Sequence, residues 1–238
     1  MITVCIVNYN TQRLTECAIR SLWKHTPEAR VVVFDNSDQG AFVFPNMMTC
    51  EESPGTAAGS VEIIDNTKGQ VIDFEAELAK YPNKEYSQRN RSNFGSAKHC
   101  MSIDWLMDYC TEGFVLADSD VLFRRDIAPL VQTNRAAVGA LRVKEGIILL
   151  QPVLCWLNVP MLLAHGIRYF NGQKMWALSD RYPYNRYDTG AWLYEELISH
   201  RLSFRDTDIS PYILHFGHGS WKDKDADQWL NDNKELWI

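Results

Sequence analysis

The chain has 238 residues, enough for one α/β domain, while two domains would each be thin on core. Its composition, 46% hydrophobic and 23% charged, is that of an ordinary globular protein and excludes a disordered chain. A net charge of −6 and a pI near 5.5 exclude bulk nucleic-acid binding, which needs a basic footprint, yet leave room for a local phosphate pocket.

Thr3–Asn8 is short and almost wholly apolar, and reads as a strand buried on both faces. Met1-Ile2-Thr3 runs straight into it, with no basic or apolar leader pattern before a cleavage site. Thr11 then offers a helix N-cap, and Leu14, Cys17, Ala18, Ser21 and Leu22 repeat at helical spacing up to Pro27. Arg30–Phe34 is a second buried strand, ending at Asp35-Asn36-Ser37-Asp38. Strand, helix and strand make a βαβ unit, whose right-handed crossover puts both strand ends on one sheet edge. Ligands of open α/β sheets bind at that edge, so Asn8-Tyr9-Asn10 and Asp35-Asn36 become site candidates.

Gln39–Ser60 has no clear period and carries Pro45, Pro54, Gly55 and Gly59, which predicts a long excursion. Val61–Asp65 predicts a third strand, Ile72–Lys80 a short helix, and Gly95–Tyr109 a longer one with Cys100, Ile103, Leu106 and Met107 inward. Gly113–Ala117 is the next buried strand, running into Asp118-Ser119-Asp120. Ala136–Leu141 and Ile147–Val159 are further strands, and Pro152 and Pro160 place parts of the second at an edge or end. Ser179–Asp188 reads as an aromatic loop, Gly190–His200 as a helix, Tyr212–His215 as a last strand, and the tail from Trp221 as a helix packed on the body.

The six cysteines form no C-x-x-C pair and sit mostly in apolar periodic stretches, as reduced thiols of a cytoplasmic protein do. No stretch reaches roughly 18 uninterrupted apolar residues, so membrane contact is expected to be peripheral at most.

The strongest chemical signal is F-V-L-A-D-S-D-V at residues 114–121. Two carboxylates two positions apart at the end of a buried strand converge on one point beyond the sheet edge. Mg²⁺ or Mn²⁺ is often held by one or two carboxylates, with substrate phosphates completing the shell. The bland alternative is a turn or helix cap, which D-x-D also builds.

In this order and spacing, V-C-I-V-N-Y-N, V-V-V-F-D-N-S, R-S-N-F-G-S-A-K-H and V-L-A-D-S-D-V resemble the GT-A glycosyltransferases, most closely the inverting family 2 enzymes. The resemblance covers residues 1–130 and is motif-level; Gln39–Asn93 is longer and less regular than the family's link. It implies an α/β, Rossmann-like GT-A fold: a mostly parallel central sheet flanked by helices, in a single domain over residues 1–238. Residues 1–130 would then form the nucleotide-sugar donor half. Residues 131–238 would hold the acceptor half and a C-terminal metal and phosphate loop.

The resemblance further implies that Val7, Asn8 and Tyr9 lie along base and ribose, and that Asp35 binds one of them. Arg91, Asn93 and Lys98 would lie near the nucleotide, where a cation suits a diphosphate. Asp120 is expected to ligate the metal directly, with Asp118, beside Ser119, on the ribose or a metal-bound water. Asn8, Asn10 and Asp35-Asn36 read equally as strand and turn closure.

An inverting transferase needs a carboxylate to take the acceptor's proton. Asp188 is the first choice and Glu195 and Glu196 are second; Asp188 also suits an N-cap. His215 or His218, in the glycine-rich I-L-H-F-G-H-G-S-W segment, would complete the metal site, with Ser220 and Lys222 near phosphate. That loop is also similar to retaining GT-A enzymes, so stereochemistry stays open. The expected partners are a nucleotide-diphosphate sugar and a carbohydrate or lipid-linked acceptor. A nucleotidyltransferase, which would show a glycine-rich basic loop after the first strand, and a non-catalytic sugar-binding module are the alternatives.

Overall fold

The computed structural model describes residues 1–45, 59–81, 91–144, 146–175, 187–217 and 225–238, with the side chains of 91–93 excepted. The strands are β1 (Thr3–Asn8), β2 (Arg30–Asp35), β3 (Val61–Asp65), β4 (Phe114–Asp118), β5 (Val121–Phe123), β6 (Ala137–Lys144), β7 (Ile147–Leu157), β8 (Phe204–Asp206) and β9 (Ile213–His215). The helices are α1 (Gln12–His25), α2 (Phe74–Ala79), α3 (Arg91–Tyr109), α4 (Val159–Ala164), α5 (Gly172–Met175), α6 (Ala191–Ser199) and α7 (Ala226–Asp232).

Seven strands form one sheet in the order β3-β2-β1-β4-β7-β6-β8, and β5 pairs with β9 in a separate ribbon. The pairs β2·β3, β1·β2 and β1·β4 are parallel, and β7 alone runs against its neighbours. This is the mostly parallel sheet expected from the continuous apolar strands. Alternation along β1 divides the core between the two faces. Val4 and Ile6 pack with Ala18, Ile19 and Leu22 of α1, whereas Cys5 packs with Ile103, Leu106 and Met107 of α3. Helices therefore cover both faces, as parallel strands require. Each buried Leu or Ile contributes roughly 1.5–3 kcal/mol.

Two expectations are corrected. β7 lies between β4 and β6, not at an edge. Pro152 is tolerated there because the β6·β7 register shifts between Gly139 and Leu141, which leaves residues 151–154 without ladder partners on β6. Pro160 sits in the first turn of α4, where its missing N–H costs nothing, and Asn158 caps that turn by accepting from Met161 N. The tail helix is present as α7, shorter than expected. Short β5, β8, α4 and α5 had no counterpart in the periodicity. Most of the Gln39–Ser60 excursion and of the Ser179–Asp188 loop lies outside the described residues.

Candidate functional site

The parallel register puts Asn8 opposite Asp35, Val7 opposite Asp118 and Asp35 opposite Asp65, so three acids and an amide share the C-terminal sheet edge. Just past β4 the chain turns through Ser119-Asp120 into β5. β5 pairs antiparallel with β9, Val121 facing His215, and Phe216 N donates to Asp120 O at 2.9 Å. That ribbon carries His215 from the far end of the sequence to the carboxylate pair. His215 Nε2 lies 3.2 Å from Asp120 Oδ1 and 4.0 Å from Asp118 Oδ2. One ligand atom from each residue lies within 4.8 Å of the others. Behind His215, Phe216 packs against Trp229 of α7, with ring centroids 5.0 Å apart, which anchors the ribbon.

The electrostatics fit a cation. Burial, and then the Asp120 charge, push the Asp118 carboxyl up to about 7. Two carboxylates and an imidazole, gathered where one acid is reluctant to ionise, form a donor set for a hard divalent ion. His218, Ser220 and Lys222 lie outside the described residues.

Asn8 and Asp35, expected along the nucleotide, are buried at the ends of β1 and β2. They are 1% and 0% exposed. Asn8 Nδ2 donates to Asp35 Oδ1 (2.8 Å) and Ser37 Oγ (3.0 Å), and Asn8 Oδ1 accepts from Thr11 Oγ1 (2.6 Å) and Thr15 Oγ1 (2.9 Å). Asp35 Oδ1 also accepts from Ser37 Oγ, and its Oδ2 accepts from Phe42 N. These bonds lock the ends of β1, β2 and α1 together. Thr11 accordingly does not cap α1 with its side chain. Its Oγ1 lies 2.8 Å from Ser119 Oγ, tying the lock to the Asp118-Asp120 turn.

The exposed part of this edge is the next shell outward. Tyr9, 39% exposed, donates its hydroxyl to Asp38 Oδ2 at 2.8 Å. Asn10, at φ 57°, donates to Asp38 Oδ1 and accepts from the Asp38 and Gln39 amides. Val7 is partly buried against the core. Lys98 Nζ lies 4.8 Å from the Phe94 ring centroid, 5.2 Å from Phe74 and 5.6 Å from Tyr9. Burial in this cage lowers the lysine pKa, against a raising effect of Asp38 and Glu75. Arg91 and Asn93 stand in the first turn of α3, on backbone alone.

Asp188 stands just before α6. Its Oδ1 accepts from Ser96 Oγ (2.8 Å) and Thr189 N (2.9 Å), and its Oδ2 accepts from Lys144 Nζ (2.7 Å). The Asp188 charge adds to the upward push on the Asp118 carboxyl. The expected N-cap role of Asp188 belongs instead to Gly190, at φ 90°. Glu195 is engaged by Tyr187 and Lys174, and Glu196 by His200. Ser96 and Lys144 were not foreseen.

No protein-family model and no curated protein matches the chain. Solved structures do. The galactosyltransferase LgtC, in complex with donor and acceptor sugar analogs, superposes at TM-score 0.50 and 12% identity over 87% of this chain and 74% of its own. The glycosyltransferase GlyE of Streptococcus pneumoniae TIGR4 gives 0.54 and 12% over 99% and 64%. The mannosyltransferase PcManGT of Pyrobaculum calidifontis, in complex with GDP-Man and Mn²⁺, gives 0.52 and 13% over 92% and 59%. The chain thus spans about three quarters of the first and less than two thirds of the other two. The fold is that of the GT-A glycosyltransferases.

Proposed function

We propose that this chain is a metal-dependent glycosyltransferase that moves a sugar from a nucleoside-diphosphate sugar to an acceptor hydroxyl with inversion, as in the family 2 enzymes. The observation that carries the reading is the convergence of Asp118, Asp120 and His215 at the sheet edge where α/β folds bind nucleotides. Mn²⁺ or Mg²⁺ held by these three residues would supply charge neutralisation for the departing diphosphate. Tyr9 and Asp38 line the nucleotide side, and the caged Lys98 ammonium offers N–H donors to phosphate oxygens. Arg91 and Asn93 stand in the first turn of α3.

Asp188 takes the acceptor proton. The acceptor oxygen bonds to the anomeric carbon, the bond from that carbon to the diphosphate oxygen breaks, and its electron pair leaves with the diphosphate. The hydroxyl proton passes to Asp188. Lys144, Ser96 and the Thr189 amide hold this carboxyl below its ordinary range, against the opposing effect of burial. A weak base suffices, because the acceptor oxygen gains positive charge as it bonds to the anomeric carbon, which makes its proton strongly acidic.

The acceptor is a carbohydrate or a lipid-linked sugar, and the setting is cytoplasmic synthesis of a surface or exported glycoconjugate. No described helix is long and apolar enough to cross a membrane, and the five described cysteines are buried and free. The test is a donor screen over UDP-, GDP- and dTDP-sugars with Mn²⁺, beside calorimetric titration of UDP and GDP with and without the metal. Metal-dependent nucleotide binding with turnover of one donor is expected. Absence of metal-dependent binding to any nucleotide rejects the reading, and binding without turnover of any donor identifies a non-catalytic module.

A further inference from the structure

Asp188 is held from two different elements. Ser96 projects from α3 to Oδ1, and Lys144, the last residue of β6, reaches Oδ2 across 44 positions of sequence. The Thr189 amide takes the second lone pair of Oδ1. A carboxylate oxygen has two lone pairs, so Oδ1 is full and Oδ2 retains one. The carboxylate therefore has a fixed plane and one remaining acceptor direction. A lone hydrogen bond would leave it free to rotate about its terminal torsion.

We propose that Lys144 is a positioning residue, which fixes the Asp188 carboxylate so that the remaining lone pair of Oδ2 meets the acceptor hydroxyl. This rests on the transferase reading above. The Lys144 side chain is 47% exposed, so its charge is held in place without a large burial cost, while Asp188 is 34% exposed. Four other groups face Asp188. Cys100 on α3 is a thiol pushed well up by burial, and is neutral. Ser96 is neutral; His99 on α3, whose Nε2 is buried without a hydrogen-bond partner, is pushed down to about 4 by burial and is neutral at pH 7. Asp118 on β4 repels Asp188. Among these groups Lys144 supplies the positive charge that opposes that repulsion.

Lys144→Met and Lys144→Arg are compared with the wild type by steady-state kinetics and by ¹³C-carboxyl NMR titration of the metal-free protein. The Asp188 resonance is assigned by its loss in Asp188→Asn. For Lys144→Met, kcat is expected to fall on the order of 100-fold with donor KM within about twofold. The Asp188 midpoint moves up. Lys144→Arg restores most of kcat and keeps the midpoint low, a rescue that a merely structural side chain would not show. A kcat for Lys144→Met equal to that of the wild type overturns the proposal. If the wild type turns over no donor, the transferase reading fails, and a midpoint unmoved in Lys144→Met then overturns the clamp as well, whereas a shifted midpoint upholds it.

Discussion

His215 Nε2 stands 3.2 Å from Asp120 Oδ1 although 94 residues lie between them, because Val121 of β5 pairs with His215 of β9. The ribbon, not the main sheet, completes the donor set. Asp120→Ala and His215→Ala should each leave the fold intact and remove most of the stabilisation conferred by Mn²⁺. At a free metal concentration of about 100 times Kd, binding adds about 2.7 kcal/mol. For a chain of this size that is a rise of roughly 5–10 °C in Tm. Differential scanning fluorimetry with and without Mn²⁺ should show this rise in the wild type and little of it in either variant.

The Asp118 carboxyl has a second consequence, on pH. Its ordinary value is 3.8, and burial with the neighbouring Asp120 raises it to about 7 in the folded chain. Between those values the metal-free folded state holds a proton that the unfolded state has released. Its stability therefore falls as pH rises from about 4 to about 7 and is level above, at roughly 1.4 kcal/mol per unit of difference. Asp118→Asn abolishes that loss. Its Tm relative to wild type should climb across this window and reach its greatest advantage near pH 8. Saturating Mn²⁺ should reverse the order, since only the wild type keeps both carboxylates. A relative Tm that does not change with pH would refute the assignment.

Asp35 should behave as a structural residue. Asp35→Ala takes the acceptor from the Phe42 amide and leaves Asn8 Nδ2 and the Ser37 hydroxyl each one bond short, in a fully buried position. Each unsatisfied buried group costs about 1–3 kcal/mol, so a loss of several kcal/mol in urea denaturation is expected. At a temperature where the variant remains folded, its nucleotide affinity should stay within a fewfold of wild type. A selective loss of nucleotide binding with unchanged stability would return Asp35 to the ligand.

These residues mark how far the sequence could be read. The strands over Val4–Val7, Val31–Phe34 and Val115–Ala117 were legible because both faces are buried and the apolar run is unbroken. β5 was not, since three residues after a turn have no period, and with it went the pairing that seats His215. Asn8 and Asp35 were legible as polar strand ends but ambiguous in role. A ligand-binding amide and a locking amide look alike in sequence, and only counting their partners separates them. Lys144 had no local signal, because its meaning lies in a contact 44 positions away. Asp188 stood out by its place before a helix, although Gly190 holds the cap position assigned to it.

Gly190 is the least replaceable residue of that corner. It adopts φ 90°, a left-handed conformation that costs an L side chain roughly 1–2 kcal/mol. A Cβ there would also stand 1.9 Å from Leu150 O on β7, a backbone atom that cannot rotate away. Gly190 O accepts from both Leu150 N (3.3 Å) and Tyr194 N (3.1 Å), so shifting the backbone would break the seam between β7 and α6. Asp188 is two residues upstream. Gly190→Ala should therefore destabilise the chain by about 3 kcal/mol or more, and the residual folded fraction should lose transfer, because the carboxylate is displaced from Ser96 and Lys144. Ala191→Gly, one position along in the regular helix, should cost only about 1 kcal/mol and keep activity. Urea denaturation of the two variants beside donor turnover makes the comparison; near-native stability of Gly190→Ala would show that the β7–α6 seam can yield.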